Sequence, residues 1–186
     1  MNRLFWKWRR TVKGLFVGRF QPFHLGHLKA IKWILERCEN ITVVIGSSQE
    51  SFTKRNPFTY EERKKMIKRS LEKESVKEEQ FEIIGIPDFF DCERWVKSIL
   101  SKAKFDVIFT KSLWVKRCFD LFEIPVKEHP MFRHYSARKI RGMIMEKDED
   151  WEKFVPKTVS KSVKEIRGVE RLRDLAETDK VSSTKT

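Results

Sequence analysis

Apolar residues are spaced along this chain in two different ways. Short apolar runs without polar alternation are typical of parallel strands buried on both faces of a sheet. They predict five strands, the last of them the weakest, at Leu15–Val17, Ile41–Ile45, Phe81–Ile86, Asp106–Phe109 and Ile124–Val126. Longer segments lie between these runs, and their apolar residues recur every three or four positions, which is the spacing of an amphipathic helix.

These longer segments predict a helix after each of the first four strands. The first helix follows His24, and the second begins at a capping box in which Thr59 is followed three residues later by Glu62. The third and fourth helices are expected at about Glu93–Lys102 and Leu113–Phe122.

From Tyr135 onward the pattern is helical throughout, and Pro156 is expected at the first position of one helix. Strands alternating with helices, then helices alone, predict an α/β fold: a doubly wound, Rossmann-like parallel sheet with a helical C-terminal layer. One domain is expected over residues 13–175. It lies between a basic, aromatic extension at 1–12 and a polar tail at 176–186 that should fray.

The chain is strongly basic, with 40 Lys and Arg against 27 Asp and Glu and a net charge of +13. This balance favours polyanionic partners, and ATP or pyrophosphate fits it as well as nucleic acid. The sequence carries no nucleic-acid-binding signature and no stretch apolar enough to span a membrane, so we expect neither partner. Three scattered cysteines, Cys38, Cys92 and Cys118, predict a reducing, cytoplasmic setting without disulfides or a zinc ribbon.

The join between the first predicted strand and helix has the composition of a phosphate site. Backbone N–H groups and the positive end of a helix dipole point at an anion in this geometry. His24 and His27 are three residues apart, Gly26 between them leaves the backbone open, and Arg19 offers a planar fork for phosphate oxygens. Zinc is a poor alternative, because no third ligand lies at the required spacing.

The string GRFQPFHLGH resembles the HxGH signature of the nucleotidyltransferase superfamily, and its extended form is similar to archaeal-type nicotinamide-nucleotide adenylyltransferases. Further similar stretches follow in the expected order over about Lys13–Leu175. They are Ile45–Arg63, Ile86–Asp88 with Trp95 downstream, Tyr135–Arg141, Glu149–Pro156 and Gly168–Leu175.

The resemblance implies an enzyme that joins nicotinamide mononucleotide (NMN) and ATP to give NAD and pyrophosphate. The NMN phosphate would attack the ATP α-phosphorus in line. That phosphate has a second pKa of about 6 and is already anionic, so no general base is needed. Mg²⁺ is expected on the ATP phosphates, with no dedicated protein ligands. The resemblance also implies a homo-oligomer, a hexamer.

Residue roles follow from the same motifs. The catalytic set is His24, His27, Arg19 and Arg141. The ATP and phosphate set adds Gly18, Phe20, Gly26, Ser136 and Arg138, although the side chains of Phe20 and Phe23 are interpreted as core. The NMN set is Arg55, Asp88 and Trp95, with Trp95 expected to stack on the nicotinamide ring unless it is an ordinary core residue. Trp33, Trp114 and Trp151 are interpreted as packing residues.

Two departures from the family pattern concern ATP. Ala137 and Arg138 stand where the family usually has Gly and Thr, and Lys111 and Ser112 stand where a Gly-Asn pair usually meets the adenosine. We expect Arg138 to replace the lost hydroxyl as a phosphate contact. The open alternatives are another acceptor, such as nicotinate mononucleotide or phosphopantetheine, and a non-catalytic protein that binds nucleotides or nucleic acid.

Overall fold

A single parallel sheet of five strands forms the centre of the computed structural model, which describes residues 12–132 and 134–183, with side chains to 178. The strands are β1 (Lys13–Gly18), β2 (Asn40–Ile45), β3 (Phe81–Gly85), β4 (Val107–Phe109) and β5 (Val126–Lys127). All five predicted strands are therefore confirmed. The predicted extension at 1–12 falls almost wholly outside the described residues.

The strand order is β3-β2-β1-β4-β5, so β1 is central and pairs with β2 on one side and β4 on the other. Strands β2 and β3 follow β1 in the chain and extend the sheet on one side of it. The chain then returns past β1, and β4 and β5 extend the sheet on the other side. The order reverses between β1 and β4, and at such a switch point the carboxyl ends of the strands leave a crevice for ligands. The fold predicted from the sequence is confirmed.

Seven α-helices cover the sheet within the described ranges, namely α1 (Leu25–Leu35), α2 (Tyr60–Lys73), α3 (Cys92–Leu100), α4 (Leu113–Asp120), α5 (Ala137–Met145), α6 (Lys157–Glu165) and α7 (Gly168–Ser183). The predicted capping box of α2 is present, with Thr59 and Glu62 each bonded to the backbone N–H of the other. Pro156 is the N-cap of α6, one position before the one predicted.

The two faces of the sheet bury separate cores. Along β1, Leu15 packs into the cluster under α3 and α4, and Phe16 packs into the larger cluster under α1, α2 and the C-terminal helices. Successive side chains of a strand point to opposite faces, so two neighbouring apolar residues fill two cores. This is why the strand runs are continuously apolar.

The C-terminal helices form the expected extra layer. Helix α6 packs on α2, and α7 packs on α5 and α6. Arg171 of α7 makes two bonds to the carboxylate of Glu62, at 2.7 and 2.8 Å, and a third to the carbonyl of Pro57. The layer thereby braces the start of α2. Helix α7 continues to Ser183, so most of the tail expected to fray is helical.

The expectation of a chain without disulfides is wrong. Cys92 and Cys118 are bonded to each other, with their Cα atoms 4.9 Å apart. Cys92 opens α3 and Cys118 lies in the last turn of α4, and these two helices pack side by side under the sheet. Their spacing in the sequence gives no hint of this contact. Cys38 is free and buried.

No helix among the described residues is both long and apolar enough to cross a membrane.

Candidate active site

A cavity of about 270 Å³ opens at the switch point between β1 and β4. Its walls come from the end of β1, the start of α1, the segment after β4, and the segments that precede α5. The lining residues are Phe16, Val17, His24, Gly26, His27, Thr110, Lys111, Ser112, His129, Met131, Phe132 and Tyr135. Of the predicted ATP-side residues, His24, Gly26 and His27 line the cavity directly.

His24 and His27 build the start of α1 together. His24 is the N-cap residue, and its ring Nδ1 accepts a hydrogen bond from the backbone N–H of His27 at 3.3 Å. The Nδ1 of His27 in turn accepts from the backbone N–H of His24 at 3.2 Å. The rings stack with their centroids 3.5 Å apart. This is a capping box made of two histidines instead of a hydroxyl and a carboxylate.

The mutual cap determines where each imidazole carries its proton. Because both Nδ1 atoms accept from backbone N–H groups, each neutral ring must hold its hydrogen on Nε2. Burial lowers the pKa of His24 to about 4. Burial, with His24 and His129 nearby, holds the pKa of His27 well below its usual value. Near neutral pH the pair therefore presents two uncharged N–H donors.

Aromatic side chains pack against the histidine pair. The ring of Phe20 packs edge-on against His27 at 4.8 Å and is 1 % exposed, so its side chain lies in the core. Phe20 was also placed in the ATP set, and the structure leaves only its backbone for such a contact. A Cβ on Gly18 would lie 2.8 Å from the Phe20 ring, which explains the glycine at the end of β1.

Gly26 is required by packing as well as by openness to a ligand. A Cβ at this position would lie 2.9 Å from the Cβ of Tyr135 and 3.1 Å from the His24 ring. Tyr135 closes this side of the cavity, and its hydroxyl accepts a bond from Lys29 at 3.2 Å.

An arginine cluster lies at the loop that follows β1, and none of its four members lines the cavity. Burial and the positive charges of Arg19, Arg55 and Arg138 together lower the pKa of Arg141 to about 10. Burial and Arg55 likewise lower the pKa of Arg19, against the raising effect of Asp88. The structure therefore brings together the four arginines that the sequence placed in the site. Such mutual repulsion favours binding of an anion among them.

Arg141 holds two loops of the site in place. Its Nε donates to the carbonyl of Lys54 at 2.9 Å, and one terminal nitrogen donates to the carbonyl of Gln21 at 2.8 Å. These two carbonyls belong to the loops that follow β1 and β2. Arg141 is 8 % exposed, so the structure shows it as a brace, and its role as a phosphate clamp stays a prediction.

Two further braces were missed from the sequence. Arg63 is fully buried in α2 and donates to the carbonyls of Arg19, Gly46, Ser47 and Thr59. Gln21 bonds both the N–H and the carbonyl of Phe58, each at 2.9 Å. Both side chains satisfy main-chain groups of distant loops, and no local sequence signal marks such a role.

Asp88 and Ser136 lie where their motifs suggested. Asp88 follows β3 and accepts from the hydroxyl of Ser47 at 3.0 Å. Ser136 is the N-cap of α5, but its side chain makes no capping bond, so the expected capping contact is absent. Arg55 and Arg138 are exposed, within the electrostatic reach of Arg141.

Trp95 is packed in the core, where the alternative interpretation placed it. It is 3 % exposed, and its ring contacts Trp114 at 4.8 Å and Phe119 at 5.7 Å. The stacking of Trp95 on the nicotinamide ring stays a prediction. Trp151 is fully buried and Trp33 packs on Phe109, as expected, whereas Trp114 is 47 % exposed.

No set of three or more His, Cys, Asp or Glu side chains in the described parts of the chain converges to hold a metal ion. The polar side chains that line the cavity are three imidazoles, one ammonium group and three hydroxyls, namely those of His24, His27, His129, Lys111, Thr110, Ser112 and Tyr135.

A family profile described as cytidylyltransferase-like matches residues 15–186. Curated relatives named nicotinamide-nucleotide adenylyltransferase cover most of the chain. One from Saccharolobus solfataricus is 42% identical over 171 residues, covering 90% of this chain and 99% of the relative. One from Pyrococcus furiosus is 42% identical over 168 residues, covering 88% and 89%. Nicotinamide-nucleotide adenylyltransferase 1 of Sulfolobus acidocaldarius is 39% identical over 171 residues, covering 90% and 98%.

Among solved structures, a bifunctional NMN adenylyltransferase/ADP ribose pyrophosphatase from Francisella tularensis, complexed with AMP and a Mn ion, is similar with a TM-score of 0.73. The identity is 26%, and the match covers 94% of this chain but 55% of the Francisella chain. This chain therefore spans about half the length of that bifunctional protein.

Proposed function

The chain belongs to the cytidylyltransferase-like family and, within it, to the nicotinamide-nucleotide adenylyltransferases, and we propose that it joins NMN and ATP to give NAD and pyrophosphate. The observation that carries this proposal is the histidine pair. Two neutral Nε2–H donors, fixed by their mutual cap, lie in a cavity at the switch point, with an arginine cluster beside them.

The reaction exchanges one phosphorus–oxygen bond for another. A non-bridging oxygen of the NMN phosphate attacks the α-phosphorus of ATP, and the bond from that phosphorus to the oxygen leading to the β-phosphate breaks. Pyrophosphate leaves with that oxygen and its electron pair. The attacking phosphate monoester has a second pKa of about 6, so it is already anionic near neutral pH and needs no protein base.

The protein's part is to position the two phosphates and to stabilise the charge that moves between them. The Nε2–H groups of His24 and His27 donate to the ATP phosphates and to the developing charge on the leaving group. Neutral donors suit this task, because they add hydrogen bonds without releasing or taking a proton. Arg19 and Arg141 hold phosphate oxygens at the exit of β1, and Arg138 does so at the start of α5.

On the NMN side, Arg55 is assigned to the phosphate, and Asp88 to a ribose hydroxyl or the carboxamide. Asp88 already accepts from Ser47, and its second oxygen lies 3.5 Å from the amide nitrogen of Gln49. These polar partners orient the carboxylate at the end of β3. An ionised carboxylate can only accept, so the groups it binds must be donors.

Mg²⁺ is the proposed metal. Its ligands would be ATP phosphate oxygens and water, which fits a site built of nitrogen donors. When bound, the ion neutralises triphosphate charge. We further propose that the enzyme works in the cytoplasm as a homo-oligomer, a hexamer according to the family resemblance.

The test is incubation of the purified chain with NMN, ATP and Mg²⁺, with NAD and pyrophosphate measured together in equal amounts. Parallel reactions with nicotinate mononucleotide and phosphopantetheine identify the acceptor. His134 is exposed and outside the cavity, so His134→Asn is a matched control for His24→Asn. A folded chain that forms no NAD at any pH or temperature would contradict the proposal.

A further inference from the structure

A third histidine lines the same cavity and has no role in the proposed reaction. His129 follows β5 and is half-buried, with its ring edge-on to Phe16 at 5.4 Å. Phe16 also contacts the His27 ring at 6.3 Å, so one phenyl ring separates the phosphate-binding pair from His129. The residue was not among those singled out from the sequence, because nothing near it in the chain forms a motif.

The hydrogen-bonding state of His129 is opposite to that of the pair. Its Nδ1 lies 2.9 Å from the carbonyl oxygen of Pro130. A carbonyl can only accept, so Nδ1 carries the hydrogen and Nε2 of the neutral ring is a bare acceptor. Burial lowers the pKa of His129, and the charge of Lys111 lowers it further, so the ring is neutral near pH 7.

A bare acceptor cannot bind phosphate oxygens, because these also only accept. It requires a donor on the ligand, and ATP has two kinds: the exocyclic amine of adenine and the ribose hydroxyls. The cavity wall beside His129 is formed by Phe16, Met131 and Phe132. Such apolar surfaces fit the flat face of a base better than a sugar.

Two other polar groups at this end of the cavity have hydrogen-bond partners within the protein. The Thr110 hydroxyl oxygen accepts from the N–H of Ser112 at 3.1 Å, and the Ser112 hydroxyl oxygen accepts from the N–H of Val115 at 3.3 Å. This is the segment where the chain departs from the Gly-Asn pair of the family that meets the adenosine. His129, on the segment after β5, offers an acceptor to the same end of the cavity from another element.

We propose that Nε2 of His129 accepts a hydrogen bond from the exocyclic amine of the ATP adenine and thereby selects adenine over purines that carry a carbonyl oxygen there. This assignment rests on the proposed function. With hypoxanthine or guanine, two acceptors would face each other, and the unpaired acceptor would oppose binding.

The experiment compares ATP with inosine triphosphate (ITP), which replaces the exocyclic amine by a carbonyl oxygen. The measured quantity is the ratio of kcat/KM for ATP to kcat/KM for ITP, followed by pyrophosphate release, because NMN and ITP give the hypoxanthine analogue of NAD and not NAD itself. We expect the unmodified chain to favour ATP strongly and His129→Leu to lower the ratio by about 10- to 100-fold. His134→Leu, at an exposed position outside the cavity, should leave the ratio unchanged.

A second variant keeps the assignment testable if His129→Leu folds poorly. His129→Gln keeps a polar side chain whose amide can present either a donor or an acceptor, so it should use ATP and ITP almost equally. An ATP/ITP ratio within about two-fold of the unmodified value in both variants would overturn the assignment, since an altered bond to the base shifts this ratio by more.

A third nucleotide separates the base from the sugar. If 2′-deoxy-ATP is penalised in the unmodified chain and His129→Leu removes that penalty but keeps the ATP/ITP ratio, His129 binds the ribose and the assignment is wrong. Failure of the proposed function is distinguishable, because the unmodified chain would then release no pyrophosphate and form no dinucleotide from NMN with any of the three nucleotides.

Discussion

The side chains of His24 and His27 each accept the backbone N–H of the other, so one pair of residues both starts α1 and supplies two N–H donors to the cavity. These two tasks use different ring nitrogens. Nδ1 caps the helix, and Nε2 is left for the ligand. The two contributions can therefore be separated by substitution.

His24→Ala should lower kcat by on the order of 10²–10³, the loss seen when one oxyanion-type donor is removed. It should also lower the free energy of unfolding by about 1 kcal/mol, because the helix cap is lost. His24→Asn should restore the stability, since asparagine is a good N-cap, but not the rate. Steady-state kinetics and urea unfolding of both variants check this, and near-normal turnover in either would show that His24 is structural.

Stability should depend on pH in the range where the histidines change charge. The pKa of His24 is about 4 in the folded chain and about 6.5 when exposed. The unfolded chain therefore binds more protons between these values, and the free energy of unfolding falls as pH drops from about 6.5 towards 4. One group contributes at most about 1.4 kcal/mol per pH unit.

Urea unfolding at several pH values between 5 and 7 measures this slope above the range in which most carboxylates titrate. His24→Asn is the matched variant, because it keeps the cap and removes one titrating ring. Its slope should be shallower than that of the unmodified chain. Identical slopes would mean that His24 does not titrate as its burial requires.

Arg63→Leu should lower the free energy of unfolding by about 3 kcal/mol or more, because main-chain carbonyls in the site loops lose their buried donor. Arg69→Leu is the control on the same helix. Arg69 pairs with Glu165 at an exposed position, so this change should cost less than about 1 kcal/mol. Equal losses in thermal unfolding would contradict the bracing role of Arg63.

Arg138→Thr restores the residue type that the family resemblance leads one to expect. It should raise the KM for ATP and weaken the dependence of that KM on salt, because one unit of positive charge leaves the ATP side. The KM for NMN should stay nearly the same. Lys139→Thr removes the same charge from the neighbouring position, over the Phe154 ring, and serves as the control. An unchanged KM for ATP would show that Arg138 is incidental.

Trp95→Phe tests the stacking role while keeping an aromatic ring in the core. If Trp95 reaches the nicotinamide ring, NMN binding should weaken by up to about 1–3 kcal/mol and ATP binding should not change. Trp114→Ala should then also affect NMN binding, because the Trp114 ring packs against the Trp95 ring and helps to position it. Equal effects on both substrates would leave Trp95 as a packing residue.

The sequence predicts those parts of the structure that local pattern controls. The five apolar runs locate the strands, and Thr59 with Glu62 locates the start of α2, because each signal lies within one element. The phosphate signature is local as well, which is why His24 and His27 could be placed at the start of α1.

What the sequence does not reveal depends on contacts between distant segments. The bond from Arg141 to Gln21 joins residues 120 positions apart. Cys92 bonds to Cys118 only because α3 and α4 pack together. The same packing places the Trp114 ring against the Trp95 ring. His129 enters the cavity because β5 pairs beside β4. Each of these follows from the strand order, which no single segment encodes.

The central position of β1 in the sheet determines how the active site unfolds. β1 is paired along its length with β2 and on the other side with β4, and its last residue, Gly18, also accepts the N–H of Gly46. Amide hydrogens in such a strand exchange with solvent only when the whole domain opens. The loop that carries the histidine pair is thus attached directly to a strand that we expect to be among the last parts of the fold to open. Inactivation by heat and global unfolding should therefore coincide, with no partly opened, inactive species between them.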